Sequence, residues 1–159
     1  MLEFHSGSTR AVDPERAVAE CLEAALGPGS SDCDLIVLYA TVGHRFKELL
    51  AAARRLAPRA RIVGCTGAGV IGREGPTESM KALGIMAVKG PGSELAVAAV
   101  ERITKPGSYE AGARIAEELK SGNPGVRLVL FHPSALNVSP PNLTASGRRG
   151  PSRWRSRLG

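Results

Sequence analysis

Long apolar runs are missing from this chain. None approaches the ~20 residues that a bilayer span requires, so a transmembrane helix is excluded. The opening Met1-Leu2-Glu3-Phe4-His5 lacks both a cationic start and an apolar stretch, so no secretory signal is read there. Cysteines are few and odd in number (Cys21, Cys33, Cys65), with no CxxC, and His5, His44 and His132 are equally dispersed. That spacing argues against a disulfide scaffold and a structural zinc site, and fits a reducing, cytoplasmic setting. Aromatic residues are scarce at 4%, yet 43% of residues are hydrophobic and 23% charged, an ordinary balance for a folded chain. The length of 159 residues suits one domain, burying roughly 68–70% of the unfolded surface.

Acidic residues are absent from Ser121 to Gly159, where Arg148, Arg149, Arg153, Arg155 and Arg157 lie. Without those five arginines the net charge of +6 falls to +1, so the main body is nearly neutral and no basic nucleic-acid face is indicated on it. Trp154 among the arginines suggests base stacking beside phosphate contacts. The Ser/Pro/Arg composition after Phe131 instead reads as an unstructured tail.

What remains alternates strand-like and helix-like segments. A short strand at Glu3-Phe4-His5 precedes a helix announced by Asp13-Pro14-Glu15. Val18, Cys21, Leu22 and Ala25 form its apolar stripe, and Gly27-Pro28-Gly29 stops it. Asp34-Leu35-Ile36-Val37-Leu38-Tyr39 reads as a strand covered on both faces. A helix over His44 to Ala57, with Phe46, Leu49, Leu50 and Ala53 inward, and an inner strand Arg61-Ile62-Val63-Gly64 follow. Lys81–Val88 and Glu94–Val100 flank Lys89-Gly90-Pro91-Gly92-Ser93 and suggest an antiparallel hairpin. Ser108 is the expected cap of a third helix with Gly112, Ile115, Ala116 and Leu119 inward, before a strand at Val126–Phe131. The expected fold class is α/β: a layered domain with a mixed sheet, β-α-β-α-β, then a hairpin, then α-β, with a disordered C-terminal tail.

The most suggestive segment is Gly64-Cys65-Thr66-Gly67-Ala68-Gly69-Val70-Ile71-Gly72. It holds a literal GxGxxG, but Gly72, Gly75 and Pro76 leave no helix to receive a pyrophosphate, so a dinucleotide fingerprint is rejected. Small residues there permit close backbone approach, to another segment or to a ligand. Cys65 at a strand end is a candidate nucleophile needing His44 or His132 as base; as a free cysteine it is more simply a buried core residue. His44, in the first turn of the second helix with Thr41 as cap, suits an anion contact or a solvated helix end. His5-Ser6-Gly7-Ser8-Thr9 reads as a polar loop lining a pocket, and Glu74 and Glu78 as solvated carboxylates or an acid/base pair.

Four stretches together resemble the N-terminal part of the FIST family, the F-box and intracellular signal transduction proteins. They are Phe4–Thr9 before an Ala-rich helix, Asp34–Tyr39, Ile62–Ile71 and Ala82–Val88. The third is most telling, because a Gly-Cys-Ser/Thr-x-x-Gly turn after the third strand is common in that family. The resemblance covers about Leu2 to Asn137 and implies an intracellular sensory domain that binds a small, amino-acid-like ligand and feeds a signalling output.

The expectations are then a FIST N-terminal domain over residues 1–137, incomplete relative to the family, and a basic tail over 138–159 that looks out of frame. The ligand-binding candidates are Gly64, Cys65, Thr66, Gly67, Gly69, Ser6, Ser8 and His44. A small-molecule ligand and a signalling protein are the expected partners, with self-association through a sheet edge. No cofactor, metal, nucleic acid or membrane is expected. The alternatives are an enzyme with Cys65 as nucleophile and a truncated fragment without autonomous function.

Overall fold

The computed structural model describes residues 1–90, 95–100, 107–122 and 125. They fall into two units, Met1–Leu95 and Ala96–Gly159. The expected strand at 126–131 and the tail at 138–159 lie outside the described residues.

In the first unit, β1 (Glu3–Thr9), α1 (Pro14–Leu26), β2 (Leu35–Thr41), α2 (Phe46–Leu56) and β3 (Arg61–Gly67) follow in order. Two short strands, β4 (Val70–Gly72) and β5 (Gly75–Thr77), and then β6 (Leu83–Lys89) complete it. The sheet has four strands in the order β1-β6-β2-β3, and β4 and β5 form a separate two-stranded ribbon. Strands β2 and β3 are parallel, while β6 runs antiparallel to both β1 and β2. This is the mixed-sheet α/β fold expected from the sequence.

Local chemistry sets the helix ends. The Asp13 carboxylate accepts from the Arg16 amide at 2.8 Å, Pro14 opens α1, and Gly27, at φ 90°, ends it. Helix α1 lies close on β1 because position 7 is glycine. A Cβ there would stand 2.2 Å from the Cys21 carbonyl oxygen.

Alternation along the strands divides the core. Ile36, Leu38 and Ala40 of β2 and Leu83, Ile85 and Ala87 of β6 pack with Val18, Cys21, Leu22, Leu49 and Ala53 from the helices. On the other face Leu35, Val37 and Val88 form a smaller cluster with Val63, Met86 and Leu95.

Several expectations need correction. Lys81–Val88 does not form a hairpin with Glu94–Val100: β6 has β1 on one edge and β2 on the other, so no edge remains, and residues 95–100 are not strand. His5–Thr9 is not a loop but the continuation of β1, its backbone bonded along β6 from Glu3↔Lys89 to Thr9↔Leu83. Helix α2 starts at Phe46, and its buried residues are Leu49, Ala52 and Ala53; Phe46 and Leu50 are exposed. Strand β3 runs on to Gly67 and, among the described residues, forms an edge of the sheet, not an inner strand.

In the second unit, α3 spans Ser108–Gly122. The Gly107 carbonyl accepts from the Ala111 amide at 3.0 Å, so the helix begins at Ser108 and the expected Ser108 cap is displaced by one residue. Ala111 and Gly112 are buried and Ile115, Ala116 and Leu119 half-buried, the stripe read from the sequence.

Candidate functional site

Strands β1, β2 and β3 run the same way, so Thr9, Thr41 and Gly67 finish at one end of the sheet. Ligands of open α/β sheets gather outside the carboxyl ends of strands. The stretch from Gly64 to Gly72 reaches that end, but it is not a loop of unengaged amides. Residues 64–67 are strand, Ala68 and Gly69 turn, and 70–72 pair with β5. Alternate amides of β3 are therefore committed to β2.

Most glycines of the stretch also have a packing reason. A Cβ on Gly64 would meet the Leu38 carbonyl, one on Gly69 the Thr77 carbonyl at 2.8 Å, and one on Gly72 the Ser8 hydroxyl at 2.0 Å. At Gly67 the nearest atom, the Gly69 carbonyl oxygen, stands at 3.2 Å and constrains less. Close approach by backbone at Gly64 and Gly69 and by the Ser8 side chain at Gly72 thus accounts for three of these glycines, while Gly64, Cys65, Thr66, Ala68 and Gly69 remain exposed.

The pairing register lines up one row across the sheet: Ser8 opposite Gly84, Gly84 opposite Tyr39, Tyr39 opposite Cys65. Ser8 and Cys65 share a face but lie three strand spacings apart, about 14 Å. Ser6 belongs to the next row, with Met86, Val37 and Val63. The structure therefore does not bring Ser6 and Ser8 together with Cys65 and Thr66. Ser8 is engaged elsewhere, donating its hydroxyl to Glu74 at 2.5 Å, and this bond holds the Glu74 carboxyl below its ordinary range. The bond and the Gly72 contact pin the β4–β5 ribbon to β1, and Val70 sits on Gly84. Glu78 does not pair with Glu74; its side chain lies beside Gly69.

Tyr39 and Cys65 are both exposed, neighbours across the parallel ladder. Partial burial first, and then the Cys65 charge, raise the Tyr39 phenol above its usual range. Cys65 is thus a surface thiol where a buried one was expected, because the edge strand has no second neighbour to cover it among the described residues. Cys21 and Cys33 are the buried cysteines, and burial pushes the Cys21 thiol up to about 12. Among the described residues no hydrogen bond joins Cys65 to His5 or His44, and His132 lies outside them.

His44 is neither in a helical turn nor solvated. It precedes the N-cap residue Arg45 and is only 4% exposed, and neither ring nitrogen has a hydrogen-bond partner. Burial lowers its pKa; the Lys81 backbone opposes this, and the Lys81 charge adds to it. Thr41 does not cap α2: its hydroxyl accepts from the Ala82 amide at 2.9 Å, and its own amide donates to the Ala82 carbonyl at 3.0 Å.

At the opposite end of the sheet a hollow of about 550 Å³ is lined by Gly29, Ser31, Asp32, Arg59 and their neighbours. Asp32 pairs there with Arg59 and, at 3.6 Å, with Lys89. None of the candidate ligand-binding residues read from the sequence lines it. No group of three or more His, Cys, Asp or Glu side chains fit to hold a metal occurs among the described residues, and none of their helices is long and apolar enough to cross a membrane.

Sequence reasoning missed Tyr39 as the companion of Cys65. The signal was present in principle: aligning Leu35–Thr41 with Arg61–Gly67 in parallel register puts the two side by side.

No curated protein matches the chain. The FIST N domain matches residues 34–146, a stretch that starts just before β2 and includes the exposed Gly-Cys-Thr-Gly segment. FIST domains are sensory domains associated with signal transduction. With most of its length covered by that match, the chain belongs to the FIST family.

Proposed function

We propose that this chain is a non-catalytic sensory domain that binds a small, amino-acid-like ligand at the carboxyl end of β3 and relays occupancy to a signalling partner in the cytoplasm. The observation that supports it most is the exposure of Gly64, Cys65 and Thr66 on a strand that is an edge among the described residues, next to Tyr39. An edge strand directs half its amides outward. Such amides, continued by Gly67 and Gly69, suit a carboxylate, and the Thr66 hydroxyl offers an orienting donor or acceptor. Ser6 and Ser8 drop out of this reading because of their distance across the sheet, and His44 because it is sealed from solvent.

Calorimetric titration of the full chain with a panel of amino acids tests it. Heat from at least one member, weakened about tenfold by Thr66→Val, is the expected result; loss of one orienting hydrogen bond has that magnitude. Absence of heat and of any thermal shift across the panel would count against ligand sensing.

The exposure of Cys65 favours one second reading, an enzyme with this thiol as nucleophile. A Cys65 that reacts with a disulfide reagent no faster than an ordinary exposed thiol at neutral pH argues against activation.

A further inference from the structure

Three features place His44 at a junction. Its ring is buried with both nitrogens unpartnered. The preceding Gly43 lies so close to the chain at Met80 that a Cβ would stand 2.1 Å from the Met80 carbonyl oxygen. Thr41 holds Ala82 through its amide and its hydroxyl. Residues 41–44 and 80–82 are therefore seated on one another at the end of β2.

The covering segment continues into the glycine turn. Ser79 and Lys81 are tied within it by hydroxyl acceptors at 3.3 Å, from Thr77 and Ser79 respectively. The Thr77 carbonyl and the Glu78 side chain lie against Gly69. The charge that acts on the ring from this segment is Lys81, a cation. Glu78 is directed to Gly69, and on His44's own side Arg45 is paired with Glu48 at 2.7 Å. No carboxylate is placed to stabilise a charged ring among these groups.

We propose that His44 is a proton-operated latch: neutral, it keeps residues 79–82 seated across the end of β2, and protonated, it releases them and loosens the support of the turn at Gly69. An imidazolium needs acceptors for two N–H groups; in the closed arrangement the Lys81 backbone favours the charge, while burial and the Lys81 ammonium oppose it and burial outweighs the rest. Its lowered pKa has the matching sign. The proton binds the open form more tightly, so the closed form is favoured above the ordinary histidine value, about 6.5, and loses ground as pH falls below it. The inference concerns the free protein and does not depend on ligand binding.

Amide hydrogen exchange of the full chain, followed by NMR from pH 7.5 to 5 and corrected for intrinsic exchange, tests the latch. Protection of the Thr41 and Ala82 amides should fall below about pH 6.5 by up to tenfold per pH unit, the limit for one linked proton. His44→Phe and His44→Gln, which do not titrate, should each remove that pH dependence; either one suffices if the other fails to fold. Lys81→Met, by deleting the like charge, should make the fall in protection smaller, because the closed form then binds the proton more readily. Protection that is flat with pH in the native chain, or equally pH-dependent in a folded His44 variant, would overturn the latch.

Discussion

Strands β2 and β3 are parallel neighbours that both read as inner strands, yet they end in opposite circumstances. In β2, Leu35-Ile36-Val37-Leu38-Tyr39-Ala40-Thr41, every residue but Tyr39 is buried; in β3, Arg61-Ile62-Val63-Gly64-Cys65-Thr66-Gly67, none is. The difference arises from neighbours. β6 returns from 42 residues past the end of β2 to occupy its other side, while β3 keeps β2 alone among the described residues. A core strand needs side chains that fill both faces, and β2 supplies them. An edge strand tolerates Gly, Cys and Thr, and the same tolerance leaves backbone and polar groups available for recognition.

The sharpest way to break this contrast is to truncate one apolar residue in each strand. Ile36→Ala should cost about 3–4 kcal/mol, the range for a fully buried aliphatic side chain, and Ile62→Ala about 1 kcal/mol. Urea denaturation of both variants measures it, and equal losses would mean that β3 is as much core as β2. Next in size is Gly43→Ala, expected to destabilise by about 2–3 kcal/mol because the added methyl meets Met80 backbone, not a flexible side chain. Thr41→Val should cost about 1–2 kcal/mol by leaving the buried Ala82 amide without its hydroxyl acceptor. Smallest of all, Arg55→Ala should change stability by less than about 0.5 kcal/mol, since its 2.8 Å pair with Glu15 is solvent-exposed on both sides.

Thiol labelling extends the same comparison to chemistry. Among Cys21, Cys33 and Cys65, only the last should react within seconds to minutes with a disulfide reagent under native conditions, and Cys65→Ser should remove that fast phase. Rapid modification of Cys21, buried with its thiol pushed up to about 12, would show that the covered face opens readily.

Features governed by neighbours in sequence were legible. Asp13, Pro14 and Gly27 bracket α1, and Gly112, Ile115 and Leu119 mark one side of α3, because caps and helical periods act within a few residues. Features governed by distant pairing were not. That β6 separates β1 from β2 rests on contacts such as Glu3↔Lys89, which no local pattern encodes, so the run at Leu83–Lys89 was matched with the segment following it. The same cause turned Ser6 and Ser8 from pocket lining into strand residues. Apolar spacing put Phe46 and Leu50 inside α2, but the helix is turned so that Leu49, Ala52 and Ala53 face the sheet. At the candidate site the Gly-Cys-Thr-Gly segment was legible as a motif. Its exposure, the company of Tyr39 and the burial of His44 all needed the register and the Gly43–Met80 approach.

Mapping backbone amide shifts in the full chain during titration with an amino acid tests ligand capture at this edge most directly. Perturbation centred on residues 64–69 and extending to Tyr39 is expected. Shifts confined to the hollow at Gly29, Asp32 and Arg59, or none at all for any amino acid tried, would contradict it.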